Sequence, residues 1–241
     1  MNSVAPPRSA ARAILWDFDG TLAHRPGMWR GCLIETLDEH EPGHAVCADD
    51  LIPSLRNGFP WHTPEVPHPE LGTPAAWWQR VEAVLASAFE HVGLEAMRAL
   101  ELARLAHERY IDGRSGWALY EDSRPVLTHL RERRWRHIIL SNHVPELEEI
   151  IVCLRLDDVI DAVVTSAASG FEKPHPEAFA EGRRAAGKPR TIWMVGDNPE
   201  ADVAGAEAVG IPAVLVRSER TSRRCAKGLY DVPPMIESEV S

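Results

Sequence analysis

The 241-residue sequence contains no stretch approaching the ~18 consecutive apolar residues that a membrane-spanning helix needs, which argues against a membrane protein. Cysteine is sparse. Cys32, Cys47, Cys153 and Cys225 lie far apart with no CxxC pair, so neither a zinc site nor a disulfide framework is expected and the thiols read as reduced. Positive charge is in deficit: Lys and Arg total 26 against 36 Asp and Glu, a formal net charge of -10 with histidine neutral. Nonspecific nucleic-acid binding rests on a basic surface that displaces counterions, so nucleic acid is not an expected partner. Internal repeats and low-complexity tracts are missing as well. The segment from Met1 to Arg12 has no long apolar run, so no secretory signal is expected and the cytoplasm is the expected compartment.

What remains is an ordinary globular balance. Hydrophobic residues at 44% and charged residues at 26% exclude a disordered chain, and the length accommodates one full domain plus a substantial insertion. Short apolar runs that end at polar or Gly-rich loops predict five strands, at Ala13 to Trp16, His137 to Leu140, Ala162 to Thr165, Thr191 to Val195 and Ala213 to Val216. Helices alternate with them, with Pro145, Pro176 and Pro199 at first-turn positions and a stop near Gly210. Strands alternating with helices imply a parallel sheet covered on both faces, whose ligands sit beyond the carboxyl ends of the strands.

The stretch from about His24 to Tyr120 breaks this rhythm and reads as mostly helical. Thr73 as N-cap and Pro74 as first-turn residue open a helix whose apolar positions include Trp77, Val81, Leu85 and Phe89 and which stops at Gly93, and a further helix covers Glu95 to Tyr110. The Pro- and His-rich stretch from Asn57 to Thr73 reads as an irregular loop. Residues 218–241 carry mixed charge and Pro233-Pro234 and suggest no element. Trp29, Trp77, Trp78, His62 and His68 are candidates to touch a substrate, although aromatics at helical spacing more often pack a core.

Four motifs fall at strand ends. Asp17-Phe18-Asp19-Gly20-Thr21 follows the first strand, where carboxylates two residues apart share one side of an extended chain and Gly20 permits a sharp turn. One carboxylate can attack while the other handles a proton. Ser141 and Asn142 close the second strand, where a hydroxyl beside free amides suits phosphate oxygens, although Ser and Asn also simply cap helices. His143 reads as a local hydrogen-bonding residue outside the site. Lys173, stiffened by Pro174 and Pro176, can neutralise both a carboxylate and an incoming phosphate. Asp197 and Asp202, in the run Gly196-Asp197-Asn198-Pro199-Glu200-Ala201-Asp202, are hard oxygen ligands suited to Mg2+, or alternatively charges that favour a helix N-terminus. The metal is the better account, because a carboxylate nucleophile and a phosphate dianion repel unless a cation bridges them.

In this order the four motifs resemble those of the haloacid dehalogenase superfamily over roughly Arg12 to Arg217. The resemblance implies an α/β fold with a Rossmann-like, doubly wound parallel sheet built from residues 1–23 and 121–241, and a helical cap at residues 24–120 inserted after the first strand. It implies Asp17 as nucleophile and metal ligand, and Asp19 as general acid and base with its carbonyl on the metal. Thr21, Ser141, Asn142 and Lys173 would bind phosphate, and Asp197 would complete the metal site with Asp202 beside it. The activity so implied is Mg2+-dependent hydrolysis of a small phosphorylated metabolite. A phosphomutase, a dehalogenase and a phosphoacceptor that does not turn over are the alternatives.

Overall fold

The computed structural model describes residues 12–218 and 224–239, so the expectation made for Met1 to Ala11 lies outside the described residues. The strands are β1 (Arg12–Trp16), β2 (Ala23–His24), β3 (Ala118–Leu119), β4 (Trp135–Ser141), β5 (Ala162–Thr165), β6 (Thr191–Gly196), β7 (Ala213–Val216) and β8 (Cys225–Ala226). The helices are α1 (Met28–His40), α2 (Ile52–Leu55), α3 (Pro74–His91), α4 (Ala96–Ile111), α5 (Ser123–Glu132), α6 (Leu147–Cys153), α7 (Ser166–Ser169), α8 (Pro176–Ala185), α9 (Gly205–Ala208) and α10 (Val232–Ser238). No described helix is long and apolar enough to cross a membrane.

Six strands form one sheet in the order β5-β4-β1-β6-β7-β8, with every pairing parallel. The five strands expected from the apolar runs are all present. The sixth, β8, comes from the C-terminal stretch that the sequence left without an element, because two residues are too few to show periodicity. Alternation along β1 sorts its side chains: Ala13 and Leu15 enter a core with Phe179 and Ala206, while Ile14 and Trp16 enter the larger core on the opposite face. Both faces are therefore apolar and covered. Within the larger core Trp16 Nε1 donates to Nδ1 of the buried His137 at 3.0 Å. Burial pushes that imidazole down to about 4, which keeps it neutral and leaves a ring nitrogen free to accept.

Register brings the motifs into line. Trp16 lies opposite Ile139 of β4 on one side and Val195 of β6 on the other, so the residues that follow, Asp17, Ser141 and Asp197, emerge along one edge. Helices start behind that edge, with differences from the expected boundaries. α6 starts at Leu147, two residues after Pro145, because Asn142 is tied to the Lys173 backbone and holds the intervening chain out of the helix. Lys173 itself lies not at the end of β5, as expected, but beyond the short α7 that follows it. Pro199 opens a π-helical turn, Pro199–Ala204, which runs into α9, and Gly210 follows at φ 74.

The segment between β2 and β3 is helical, as its pattern suggests. Its two ends are fastened side by side by antiparallel pairing of Ala23 with Leu119 and His24 with Ala118. Thr73 caps α3 by accepting from the Ala76 amide, and Glu95 caps α4 by accepting from Met97 and Arg98. The Pro-rich loop holds two short 3-10 turns, Pro60–His62 and Pro69–Leu71.

Candidate active site

The carboxyl edge of the sheet concentrates charge in a small buried volume. Asp17 begins where β1 ends, and its amide donates to Val195 O at 2.9 Å, which anchors the nucleophile candidate to β6. Its Oδ1 accepts from Ser141 Oγ at 3.0 Å and from Lys173 Nζ at 2.7 Å. The same ammonium donates to Asp202 Oδ1 at 2.5 Å, while Asp202 Oδ2 accepts from the Asn198 amide at 3.0 Å. Lys173 and Asp202 are 3% and 1% exposed, so both charges are committed to one another and to Asp17. Burial alone would discharge Lys173, but Asp17 and Asp202 outweigh it and raise its pKa above that of a free lysine.

The side chain of Asn142, whose backbone amide is the expected phosphate contact, is engaged with Lys173. Its Oδ1 accepts from the Lys173 amide at 2.7 Å and its Nδ2 donates to the Lys173 carbonyl at 2.9 Å, a two-way clasp that fixes the backbone from which Lys173 reaches inward. Thr21 Oγ1 is 3.5 Å from Asp197 Oδ1 and joins the first motif to the fourth. Gly20 at φ 76 makes the turn between them, and a methyl group there would collide with the Asp197 carboxylate.

The remaining carboxyls carry more negative charge than one ammonium can balance. Asp19 lies beside Asp17 and Asp197, and burial, followed by repulsion from those two, raises its pKa well above the usual range. Burial, then Asp17 and Asp202, pushes Asp197 up to about 7, and burial pushes Asp202 up to about 6. Among the described residues, oxygens of Asp17, Asp197 and Asp202 all lie within 4.8 Å of one another. Such a hard oxygen set, held at a charge surplus, fits a divalent cation.

The sequence motifs meet as expected, and the structure adds residues they do not contain. His143 is buried with Nε2 3.7 Å from Asp19 Oδ2 and its ring edge-on to Phe18, and burial pushes it down to about 4. Arg217, just past β7, donates through Nε to Thr21 O at 3.1 Å, pairs with Asp122 and lies 3.6 Å over the Tyr120 ring. It thereby clamps the loop after Asp19. Above Asp19 opens a cavity of about 430 Å³, roofed by Met28, Trp29, Trp61, Pro64 and Tyr110 of the inserted segment. Trp77 and Trp78 do not line this cavity; they share the buried core with Trp29 and Tyr110, and Trp78 Nε1 donates to Glu146. A larger groove of about 1030 Å³ lies elsewhere, between Glu41, His44 and His91, and holds none of the motif residues.

Known proteins share the sequence family and the fold. A family model described as a haloacid dehalogenase-like hydrolase matches residues 11–210. The phosphoserine phosphatase of Thermus thermophilus is 36% identical over 151 residues, an alignment covering 61% of this chain and 59% of that protein. Haloacid dehalogenase-like hydrolase domain-containing protein 3 of Mus musculus is 28% identical over 219 residues, covering 87% of this chain and 83% of the relative. Among solved structures, a 2-haloacid dehalogenase from Pseudomonas syringae superposes with a TM-score of 0.66 at 22% identity, covering 95% of this chain and 99% of its own. That last likeness speaks to the fold alone.

Proposed function

This chain belongs to the haloacid dehalogenase-like hydrolase family, and from that membership we propose that it is a phosphatase that hydrolyses small phosphate monoesters through an aspartyl phosphate on Asp17, with Mg2+ as cofactor. The observation that carries the proposal is the convergence of Asp17, Ser141, Lys173, Asp197 and Asp202 beside a second, half-buried carboxyl on Asp19. Asp17 and Asp197, with the backbone carbonyl of Asp19, would hold the ion. Asp202 would support the site through Lys173 and the Asn198 amide, from which its two oxygens already accept hydrogen bonds. When bound, the ion would screen the phosphate from the carboxylates and polarise its oxygens.

The residues divide the work. Asp17 forms the new bond to phosphorus as the ester P–O bond breaks, and the Asp19 carboxyl gives its proton to the leaving oxygen. Asp19 then takes a proton from water, which attacks the acyl phosphate and frees Asp17. A carboxyl whose surroundings favour the protonated form suits the first step, and the half-buried environment of Asp19 supplies such surroundings. Ser141 and Lys173 hold the phosphate oxygens, with Asn142 setting the Lys173 backbone in place. A dehalogenase would need neither an acid at Asp19 nor a metal site. The helical segment from residues 24 to 120 would serve as a cap, with the paired β2 and β3 as its stem, and the setting would be cytoplasmic.

The test is phosphate release from an aryl phosphate by protein stripped of divalent ions and then reconstituted. Turnover restored by Mg2+ is expected. Full activity in excess chelator, after verified metal removal, would overturn the proposal.

A further inference from the structure

The cavity over Asp19 has two unlike halves. Its floor is polar and already committed: Lys173 bonds Asp17 and Asp202, Asn142 clasps the Lys173 backbone, and the Asn198 side chain accepts from the Glu200 and Ala201 amides. Its roof of Met28, Trp29, Trp61, Pro64 and Tyr110 contains neither a charged nor an amide side chain. The rings hold one another in place. Trp29 lies flat on Tyr110, with centroids 3.7 Å apart and planes 1° from parallel, and Trp61 stacks on Phe59 at 4.6 Å and 14°. Rings held in this way line the cavity with preordered apolar surface and offer a ligand few hydrogen-bond partners. A polyol entering there would lose water without replacement, whereas a planar ring would exchange water for ring contact. Charge narrows the choice further. Among the described residues Lys173 is the one cation lining the cavity, against Asp19 and Glu200, so a second phosphate would meet repulsion without a partner.

Resting on the phosphatase reading above, we propose that the substrates are monophosphates whose leaving group carries a neutral planar ring, seated against Trp29 and Trp61 while the phosphate reaches Asp17. Asp17 displaces the ring-bearing alcohol, which departs with the proton of Asp19, and water then releases inorganic phosphate. Trp61 is a specificity-determining residue in this arrangement, since it presents its ring from a loop and not from the packed helices.

Kinetics with Mg2+ on methyl phosphate, glycerol phosphate, 2-phenylethyl phosphate and a sugar bisphosphate test this, because all four release an alkyl alcohol. We expect kcat/KM for the phenylethyl ester to exceed that for glycerol phosphate by about tenfold to a hundredfold, the range of one stacking contact, with the bisphosphate slowest. Trp61→Leu should cost the phenylethyl ester about tenfold more than it costs methyl phosphate, and Trp61→Phe should recover most of that difference. A glycerol phosphate or bisphosphate rate matching the phenylethyl ester would overturn the assignment, as would equal losses on both esters in Trp61→Leu. The comparison among substrates uses the unmodified protein, so misfolding of a variant leaves it decisive. Absence of turnover on all four esters removes the phosphatase reading itself, whereas turnover without ring preference removes only the ring.

Discussion

Replacing Lys173 with methionine deletes one charge from the most closely coupled group in the molecule and keeps most of the side-chain volume. The ammonium sits 2.7 Å from Asp17 and 2.5 Å from Asp202, with Asp202 almost fully enclosed, so the variant strands two buried carboxylates. Breaking a buried pair from one side costs about 3–5 kcal/mol, much of it the penalty of the charge left behind. Proton uptake can relieve part of that penalty. Asp202 is already pushed up to about 6 with the lysine present, and loss of the cation raises it further, so the variant neutralises Asp202 at little cost in mild acid, whereas at pH 8 the unfolded chain has lost that proton and holding it costs stability. We therefore expect a small stability loss at pH 5 and a loss of several kcal/mol at pH 8, measured by denaturant unfolding. The double variant Lys173→Met/Asp202→Asn removes both ends of the pair and should regain about 1–3 kcal/mol at pH 8 relative to Lys173→Met. Catalysis should not recover with it. A positioned cation acting on developing charge is worth ~3–4 kcal/mol, about a hundredfold to a thousandfold in rate, and the double variant still lacks it. Wild-type turnover in Lys173→Met, or the same stability loss at both pH values, would refute the reasoning.

Asp17→Asn should abolish turnover and phosphoenzyme, whereas Asp19→Asn, given an activated aryl phosphate, should leave label on Asp17 because its second step suffers more than its first; peptide mass spectrometry after an acid quench reads both. Added Mg2+ should raise the melting temperature more at pH 7.5 than at pH 5. Asp197 at about 7 and Asp202 at about 6 hold protons in the folded state that the unfolded chain has already lost, so as pH rises through ~4 to 7 these groups withdraw stability, which ion binding at the deprotonated site restores. Gly20→Ala should cost ~1–2 kcal/mol for its left-handed backbone and depress activity at least tenfold by displacing Asp197, and an activity loss smaller than the stability loss implies would contradict the crowding argument. Arg217→Ala should destabilise by ~1–3 kcal/mol through lost bonds to Thr21 and Asp122, visible as a lowered melting temperature.

The catalytic edge was legible because its information is local. Each motif is a few contiguous residues at the end of an apolar run, and a parallel sheet carries every such end to one side, so Asp17, Ser141 and Asp197 could be placed together without distances. Lys173 was picked out by the prolines that follow it and by an expected place at a strand end, although the short α7 separates it from β5. Partner choice was less legible than position. Asn142 reads as a phosphate contact or as a helix cap, and its side-chain clasp on the Lys173 backbone depends on a segment distant in sequence. His143 reads as a polar loop residue because nothing in its neighbours announces that Phe18, Tyr110 and Trp117 will surround it from separate elements.

The roof shows where pattern stops carrying function. Trp29, Trp61 and Tyr110 come from α1, a 3-10 turn and α4, separated by tens of residues, and helical spacing assigns the same apolar signal to a core position as to one that lines a cavity. Trp77 and Trp78 have the stronger periodic signature and are core, whereas Trp61, within a proline-rich turn and without periodicity, faces the chemistry. A residue that meets a ligand need not recur with a helix, and Trp61 is presented from a turn while Trp29 and Tyr110 serve both the core and the cavity. The division follows from the energetics of the two halves. Carboxylates that must sit within a few ångströms of each other require a rigid sheet edge to hold them against repulsion, while ring stacking tolerates displacement and can be supplied by a separate segment. Specificity can therefore change by substitution in that segment without disturbing Asp17, Lys173 or Asp202, and exchanging Trp61 should move substrate preference while the pH dependence set by the carboxylates stays where it is.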